Sequence, residues 1–384
     1  MKFNLQLFLA IFLVSFLIHF SYFRLIIFVD QAKWINRTVY LSQDIFTSSP
    51  HITFYDANHD YRYGSHPGTA FLLPAALLYK LGLSGPSSLL FAIIILTSFC
   101  TASIAAVCHY LRPSSLWWLA AAIILFIHPL YFYSTPTNAI IGPITALLFL
   151  LVLVVYEQRH RPLSVNFALF TAFILGLGLS TRLHDTVFIG APLITFMGAY
   201  VNKQRLALMI LASAFFAFIL NPFLWFIPIE YLKTAILRTS SHIIYTGTPG
   251  FHLTPLWVLY YTPLTIISLS LAILSFILAR KKVPVSSPFL LTLCLITTVF
   301  AGLFLTANYQ TLRYFYPLIF TWDILLPLFL LSLSDSVNFS FITSSRHTIL
   351  ARQSLRLFII VIIIFGFGFL TAYNLLLPGS QGMI

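Results

Sequence analysis

Residues 69–84 read TAFLLPAALLYKLGLS, and whether this run crosses a membrane decides the topology of everything after it. The run is apolar but short against the roughly 20 residues that a membrane-spanning helix needs. Around it lies a chain of 384 residues that is 59% hydrophobic and 8% charged, where a soluble domain carries about 25% charged residues. Apolar runs long enough to span recur along the whole length, which predicts an all-α polytopic membrane protein forming a single integral membrane domain. Candidate spans fall near 5–28, 87–108, 115–132, 139–156, 164–180, 186–200, 207–221, 256–278, 288–306, 314–332 and 357–375. No internal repeat of the kind that builds inverted transporter halves is visible. The N-terminal stretch MKFNLQLFLAIFLVSFLIHFSYF is too long in its apolar part for a signal peptide and lacks an A-x-A-like cleavage site, so it is expected to be an uncleaved first span.

Charge settles the parity. If 69–84 crosses, the cluster EQRHR at 157–161 lands outside, together with Lys203, Arg205 and Arg280–Lys282. If it lies against the outer leaflet as a juxtamembrane helix, all of these fall inside, as do Lys2, Arg112, Arg346, Arg352 and Arg356. The second solution obeys the positive-inside rule at every loop. It predicts about 11 spans, a cytoplasmic N-terminus and an external C-terminus. The net charge of +12 is then explained by cytoplasmic loops, and no nucleic-acid partner is implied. Cys100, Cys108 and Cys294 fall inside apolar spans and read as small core residues.

On this map the external face receives a long polar stretch, residues 30–68, DQAKWINRTVYLSQDIFTSSPHITFYDANHDYRYGSHPG. It holds Asp30, Asp44, Asp56 and Asp60, four of the nine acidic residues, among Lys33, Arg37, Arg62, His51, His59 and His66. The same face receives Thr135–Asn138, Thr181–Asp185, the large loop 222–255 and Asn308–Arg313. Acidic and basic groups thus converge where neither lipid packing nor the positive-inside rule requires them. A long polar loop between apolar spans is uncommon unless it binds or catalyses something.

Several groups on this face suit chemistry, each against a plainer alternative. Asp30 directly follows the first span; one-sided desolvation raises a carboxylate's proton affinity and suits general-base work, while Asp is also an ordinary cap for a helix over 31–42. Asp56, Asn58, His59, Asp60 and His66 carry metal-ligand chemistry, but no spacing there matches a pattern such as H-E-x-x-H. A hydrogen-bonded loop without metal is therefore expected, with a divalent ion as the alternative. Arg182, in GLSTRLHDTVF, has the donor fork to bind a lipid phosphate or can snorkel to the interface. Arg313, in TLRYFYPLIF, repeats that choice beside Tyr314 and Tyr316. Asp323 lies within a span, either as a functional group or as a buried carboxyl bonded to a neighbouring helix. Residues 222–255 offer Trp225, Glu230, Lys233, Arg238, His242, Tyr245 and His252, which suit sugar stacking and equally suit any interfacial loop.

Taken in order, Asp30-Gln31 after the first span, His66-Pro67-Gly68 ending the loop, a short non-crossing apolar helix, Arg182 between spans and Arg313-Tyr314 in RYFYP resemble the GT-C fold. More specifically they are similar to polyprenyl- and dolichyl-phosphate-sugar transferases, such as protein O-mannosyltransferases and aminoarabinose–lipid A transferases. The resemblance runs from the first span to about residue 330. It departs from the family where Gln31 replaces a second acid, Gly68 a second proline and Asn138 an external Asp, and where no large soluble domain follows the last span.

The resemblance implies an inverting glycosyltransferase in the plasma or inner membrane, using a polyprenyl-phosphate sugar on the extracytoplasmic face without a cofactor. Asp30 would be the general base. Arg182, His66 and Arg313 would hold the donor phosphate, and Asp60, Asn138 and His242 would orient sugar or acceptor hydroxyls. The acceptor would be a lipid, a protein or a glycan. Two other classes compete: a transporter or flippase of a lipid-linked sugar, and a non-catalytic subunit of an envelope assembly.

Overall fold

A computed structural model describes residues 4–23, 29–45, 69–128, 131, 140–226, 228, 229, 232, 316–336 and 345–376. Among the described residues every regular element is helical. The helices are α1 (Leu5–Tyr22), α2 (Val29–Asp44), α3 (Leu72–Lys80), α4 (Gly85–Leu111), α5 (Trp117–Phe126), α6 (Ile141–Glu157), α7 (Val165–Thr181), α8 (Leu183–Tyr200), α9 (Lys203–Leu220), α10 (Tyr316–Ser336) and α11 (Ser345–Leu376), with a 3-10 turn at Thr69–Phe71 and a single helical turn at Phe223–Phe226. Two of the expected spans, 256–278 and 288–306, lie outside the described residues.

Local chemistry sets the helix starts. Asn4, Ser84, Ser164 and Asn202 accept hydrogen bonds from the first-turn amides of Leu7, Ser87, Phe167 and Gln204, opening α1, α4, α7 and α9. The end of α3 is equally explicit. Gly82, at φ 101, lets its own N–H reach the Tyr79 carbonyl and that of Leu83 reach Leu78, the paired closure that an αL glycine permits. The helix thus stops after nine residues, about 14 Å at 1.5 Å per residue, well short of a roughly 30 Å hydrocarbon layer.

Helices α1, α4 and α9 are long and apolar enough to cross a membrane. Their neighbours sort by exposure. The central helix α6 is buried continuously from Ile141 to Val155. The outer helices instead display large side chains: Leu5, Leu9, Leu13 and Leu17 on α1, Leu211 and Phe215 on α9, and Leu357, Phe358 and Phe365 on α11. Apolar stripes of that extent suit lipid rather than water. The molecule is a helical membrane protein.

Successive long helices alternate in direction, and side-chain contacts fix which ends meet. Tyr22 donates to the Phe126 carbonyl, Phe20 meets Phe91, and Ser180 bonds the Ala217 carbonyl. A Cβ on Gly142 would strike the Phe320 ring, and one on Gly178 would meet Thr186. One end of the bundle therefore gathers the ends of α1, α5, α7 and α9 with the starts of α4, α6, α8 and α10. At the other end Arg112 pairs with Glu157 and Tyr156 meets Tyr200. Because α1 arrives at the first end and α4 leaves from it, α2, the 3-10 turn and α3 all lie there. Gly85 of α4 packs within van der Waals reach of Ile35 and Val39 on α2.

The run 115–132 differs most from its sequence reading. Its first described helix is Trp117–Phe126, ten residues, about 15 Å, and it gives way at Ile127 and His128 before helix is met again at Tyr131. The residue before a proline is biased away from helix, and Pro129 follows His128 directly. The orphan carbonyls of this buried terminus are met from α1: His19 Nε2 lies 3.3 Å from the Leu125 oxygen and Tyr22 takes the Phe126 oxygen.

Candidate functional site

Among the described residues, helix gives way at the end that carries α2 and α3 at the turn 69–71, at Ile127 and His128, at Arg182 and at Asn221. Ala70, Phe71, His128, Arg182 and Asn221 are buried there. Irregular backbone inside a membrane bundle is tolerated only where protein or a polar cavity surrounds it. Helix breaks of this kind are a pointer to a binding site.

Arg182 is the strongest candidate among the described residues. It is the single residue between α7 and α8, held extended at φ −158 and ψ 99. Its N–H donates to the Gly178 carbonyl at 2.7 Å, and its own carbonyl accepts from Thr186 at 3.2 Å. The expected loop 181–185 thus contracts to one residue, and His184 and Asp185 fall in the first turn of α8. Only 2% of Arg182 is exposed, so it does not snorkel outward. A guanidinium that deep requires partners, and it sits at the positive end of the α8 dipole. Close packing of α7 on α9 creates the position. At Gly176 a Cβ would come within 2.9 Å of the Ala217 nitrogen and 3.0 Å of the Ser213 oxygen.

The 3-10 turn connects this region to α2. Ala70 packs with Cys100, Ile140, Ile144 and Leu177, the last lying on α7 just before the break. Phe71 meets Trp34 edge-on at 5.3 Å, and the Arg37 guanidinium lies 4.5 Å from the Trp34 ring centre. On α2 the buried positions Trp34, Arg37, Thr38, Leu41 and Ser42 recur with helical spacing. Asp30 stands in the first turn of that helix, four residues before Trp34. Its helix therefore starts earlier than the expected 31–42, and Asp30 is inside it rather than capping it.

A third cluster lies beneath. His128 Nε2 is 3.0 Å from Asp323 Oδ2, with the two side chains 1% and 6% exposed. The imidazole stacks on Phe320 at 3.9 Å, and the Trp117 indole donates to the next carbonyl along, Ile324, at 2.7 Å. Asp323 is thus the carboxyl bonded to a neighbouring segment, the second of the two readings its position allowed. His19 is saturated: Nε2 faces a carbonyl and must carry the proton, leaving Nδ1 to accept from Ser15 at 3.2 Å or Ser98 at 3.5 Å. Between the two histidines stands Tyr131, ringed by His19, Phe23, His128 and Phe320 at 5.2 to 6.1 Å. Its hydroxyl is buried with no hydrogen-bond partner among the described residues, at a cost of about 1–3 kcal/mol for a group left that way.

His66, Asp60, Asn138, His242 and Arg313 lie outside the described residues. Sequence reasoning did not single out His19, His128, Tyr131 or the burial of Arg37. A signal for two of these exists, because His19 and His128 are ionisable groups inside apolar runs, as Asp323 is. Among the described residues no group of three or more His, Cys, Asp or Glu side chains stands close enough to hold a metal. No protein-family model matches the chain, and no curated protein matches it either.

Proposed function

We propose that this protein is an inverting glycosyltransferase that moves a sugar from a polyprenyl-phosphate donor to a hydroxyl acceptor at the extracytoplasmic membrane surface. The observation that carries this reading is the burial of Arg182 at a helix break, at the bundle end that also holds α2 with Asp30. A buried guanidinium beside a helix N-terminus favours an anion. A lipid phosphate suits it further, because apolar helix faces surround the bundle and accept the polyprenyl tail.

The chemistry balances with these groups alone. Asp30 takes the proton of the acceptor hydroxyl while that oxygen attacks the anomeric carbon from the face opposite the phosphate. The anomeric C–O bond breaks, its electron pair staying on the lipid phosphate, and configuration inverts. The leaving phosphate is already anionic, so its departure calls for cationic stabilisation rather than a general acid. Arg182, with His66 and Arg313, supplies it; Asp60, Asn138 and His242 orient hydroxyls of sugar and acceptor.

Purified protein in liposomes, supplied with radiolabelled decaprenyl-phosphate sugars and lipid, peptide and glycan acceptors, tests the reading. Label in a covalent acceptor product is expected. Label moved across the bilayer without product would replace the transferase by a flippase, and neither outcome would leave a scaffold.

A further inference from the structure

The end opposite the helix breaks carries a charge pattern that its own helices do not call for. Ser180, near the end of α7, bonds the Ala217 carbonyl near the end of α9, and Gly176 faces Ser213 and Ala217. The two helices therefore run parallel and start side by side at this end, capped by Ser164 and Asn202. An acid in the first turn is the usual complement to a helix start, and neither helix has one. In α9 the pattern is inverted. Lys203 follows the Asn202 cap, and Arg205 takes the third position, where a capping box places Glu or Gln. Lys203 is exposed and Arg205 half-buried. Arg161, exposed as well, closes the turn after α6, its N–H on the Gln158 carbonyl at 2.8 Å. The positive-inside rule accounts for cations in these connections, but not for cations set against a helix dipole.

Residues 156–166 and 196–211, whose side chains are all described, contain one acid, Glu157. It is taken by Arg112 through two hydrogen bonds. Among the described residues no carboxylate pairs with Arg161, Lys203 or Arg205. The surroundings suit a lipid. Tyr200 packs on Tyr156 at 6.0 Å, and Arg159 lies over the Tyr156 ring, a mixture of aromatic and cationic groups found at headgroup depth. Beyond the cations the outward faces of both helices turn apolar, with Val165 and Leu169 on α7 and Ile210, Leu211 and Phe215 on α9. Cations at the interface with exposed apolar side chains directly past them match a phosphate headgroup and its acyl chains. A soluble anion would call only for the first. We propose that the α6–α7 and α8–α9 connections bind an anionic phospholipid of the adjoining leaflet, its phosphate held by Arg161, Lys203 and Arg205 and its chains lying along α7 and α9. This site is separate from the broken end and does not depend on the transferase reading.

The test measures the full chain in detergent binding phosphatidylglycerol and phosphatidylcholine, each labelled on an acyl chain, with melting temperature read in parallel. Wild type should prefer phosphatidylglycerol by about tenfold or more. Lys203→Glu with Arg205→Glu gives α9 the acids its start lacks, so the double variant should melt at or above wild type. Its preference for phosphatidylglycerol should nevertheless disappear. Arg161→Gln, a change at an exposed turn, should weaken phosphatidylglycerol binding by about fivefold, the effect of one surface cation on an anionic headgroup. Arg352→Gln, which removes an exposed cation from α11, should leave the preference as it was. No preference in wild type would overturn the proposal, as would a double variant that keeps it. Equal loss with Arg352→Gln would reduce the effect to net charge, and displacement of the lipid by millimolar inorganic phosphate would make the occupant a soluble anion; either would overturn it too.

Discussion

The two ends of this bundle are built on different principles. At one end α4 and α6 run unbroken to their termini and are tied by Arg112 and Glu157, both oxygens engaged at 2.9 and 3.3 Å, with both side chains about a quarter exposed. Arg159 lies over Tyr156 there, an interfacial arrangement. At the other end helices stop early, a 3-10 turn replaces helix, and polar side chains go deep: Arg182, His128, Asp323, Tyr131 and Arg37. The first end keeps its charges near solvent, where they cost little. The second buries them, where each must be matched. Such an arrangement lowers stability unless it serves binding or catalysis, and that contrast is why the broken end is the candidate site.

The comparison breaks most sharply at Asp30. Asp30→Asn should reduce transfer by about 10²–10⁴-fold, the usual range for a lost general base, with melting temperature and decaprenyl-phosphate affinity kept. Retained turnover would remove Asp30 from the mechanism. Next in size is Asp323→Ala, which strands His128 in a dry site. A buried pair broken on one side costs about 3–5 kcal/mol, visible as a large drop in the detergent melting temperature; an unchanged melt would mean the pair carries no load. Smaller again is Gly142→Ala. The new methyl meets the Phe320 ring, and overpacking of this kind costs about 1–3 kcal/mol, read as a lower detergent melting temperature. The smallest effect belongs to the opposite end: Arg112→Ala should cost no more than about 1 kcal/mol and leave transfer at the wild-type rate. A large loss of activity there would erase the distinction between the ends.

Much of the architecture was legible in the chain because lipid imposes long apolar runs, and lipid-facing helices such as α1 and α9 announce themselves by composition. The short run 69–84 was legible too, because about sixteen apolar residues fall short of a full crossing and its helix covers only Leu72–Lys80. What the residues did not disclose is where helices break within apolar sequence. His128-Pro129 marks one break in retrospect, yet the partner that buries it, Asp323, lies 195 residues away. Arg182 was legible as a candidate but not its burial, which depends on the close approach of α7 and α9 at Gly176 rather than on anything local. Tyr131 carried no signal in the sequence, because the matching of a buried hydroxyl is a property of its neighbours.

The most direct test of the broken end as a phosphate site is the affinity of decaprenyl phosphate for wild type, Arg182→Gln and Arg112→Ala, each first shown to melt as a folded protein. A loss of tenfold or more with Arg182→Gln, and none with Arg112→Ala, is the expected result. Equal affinity in all three proteins would contradict it.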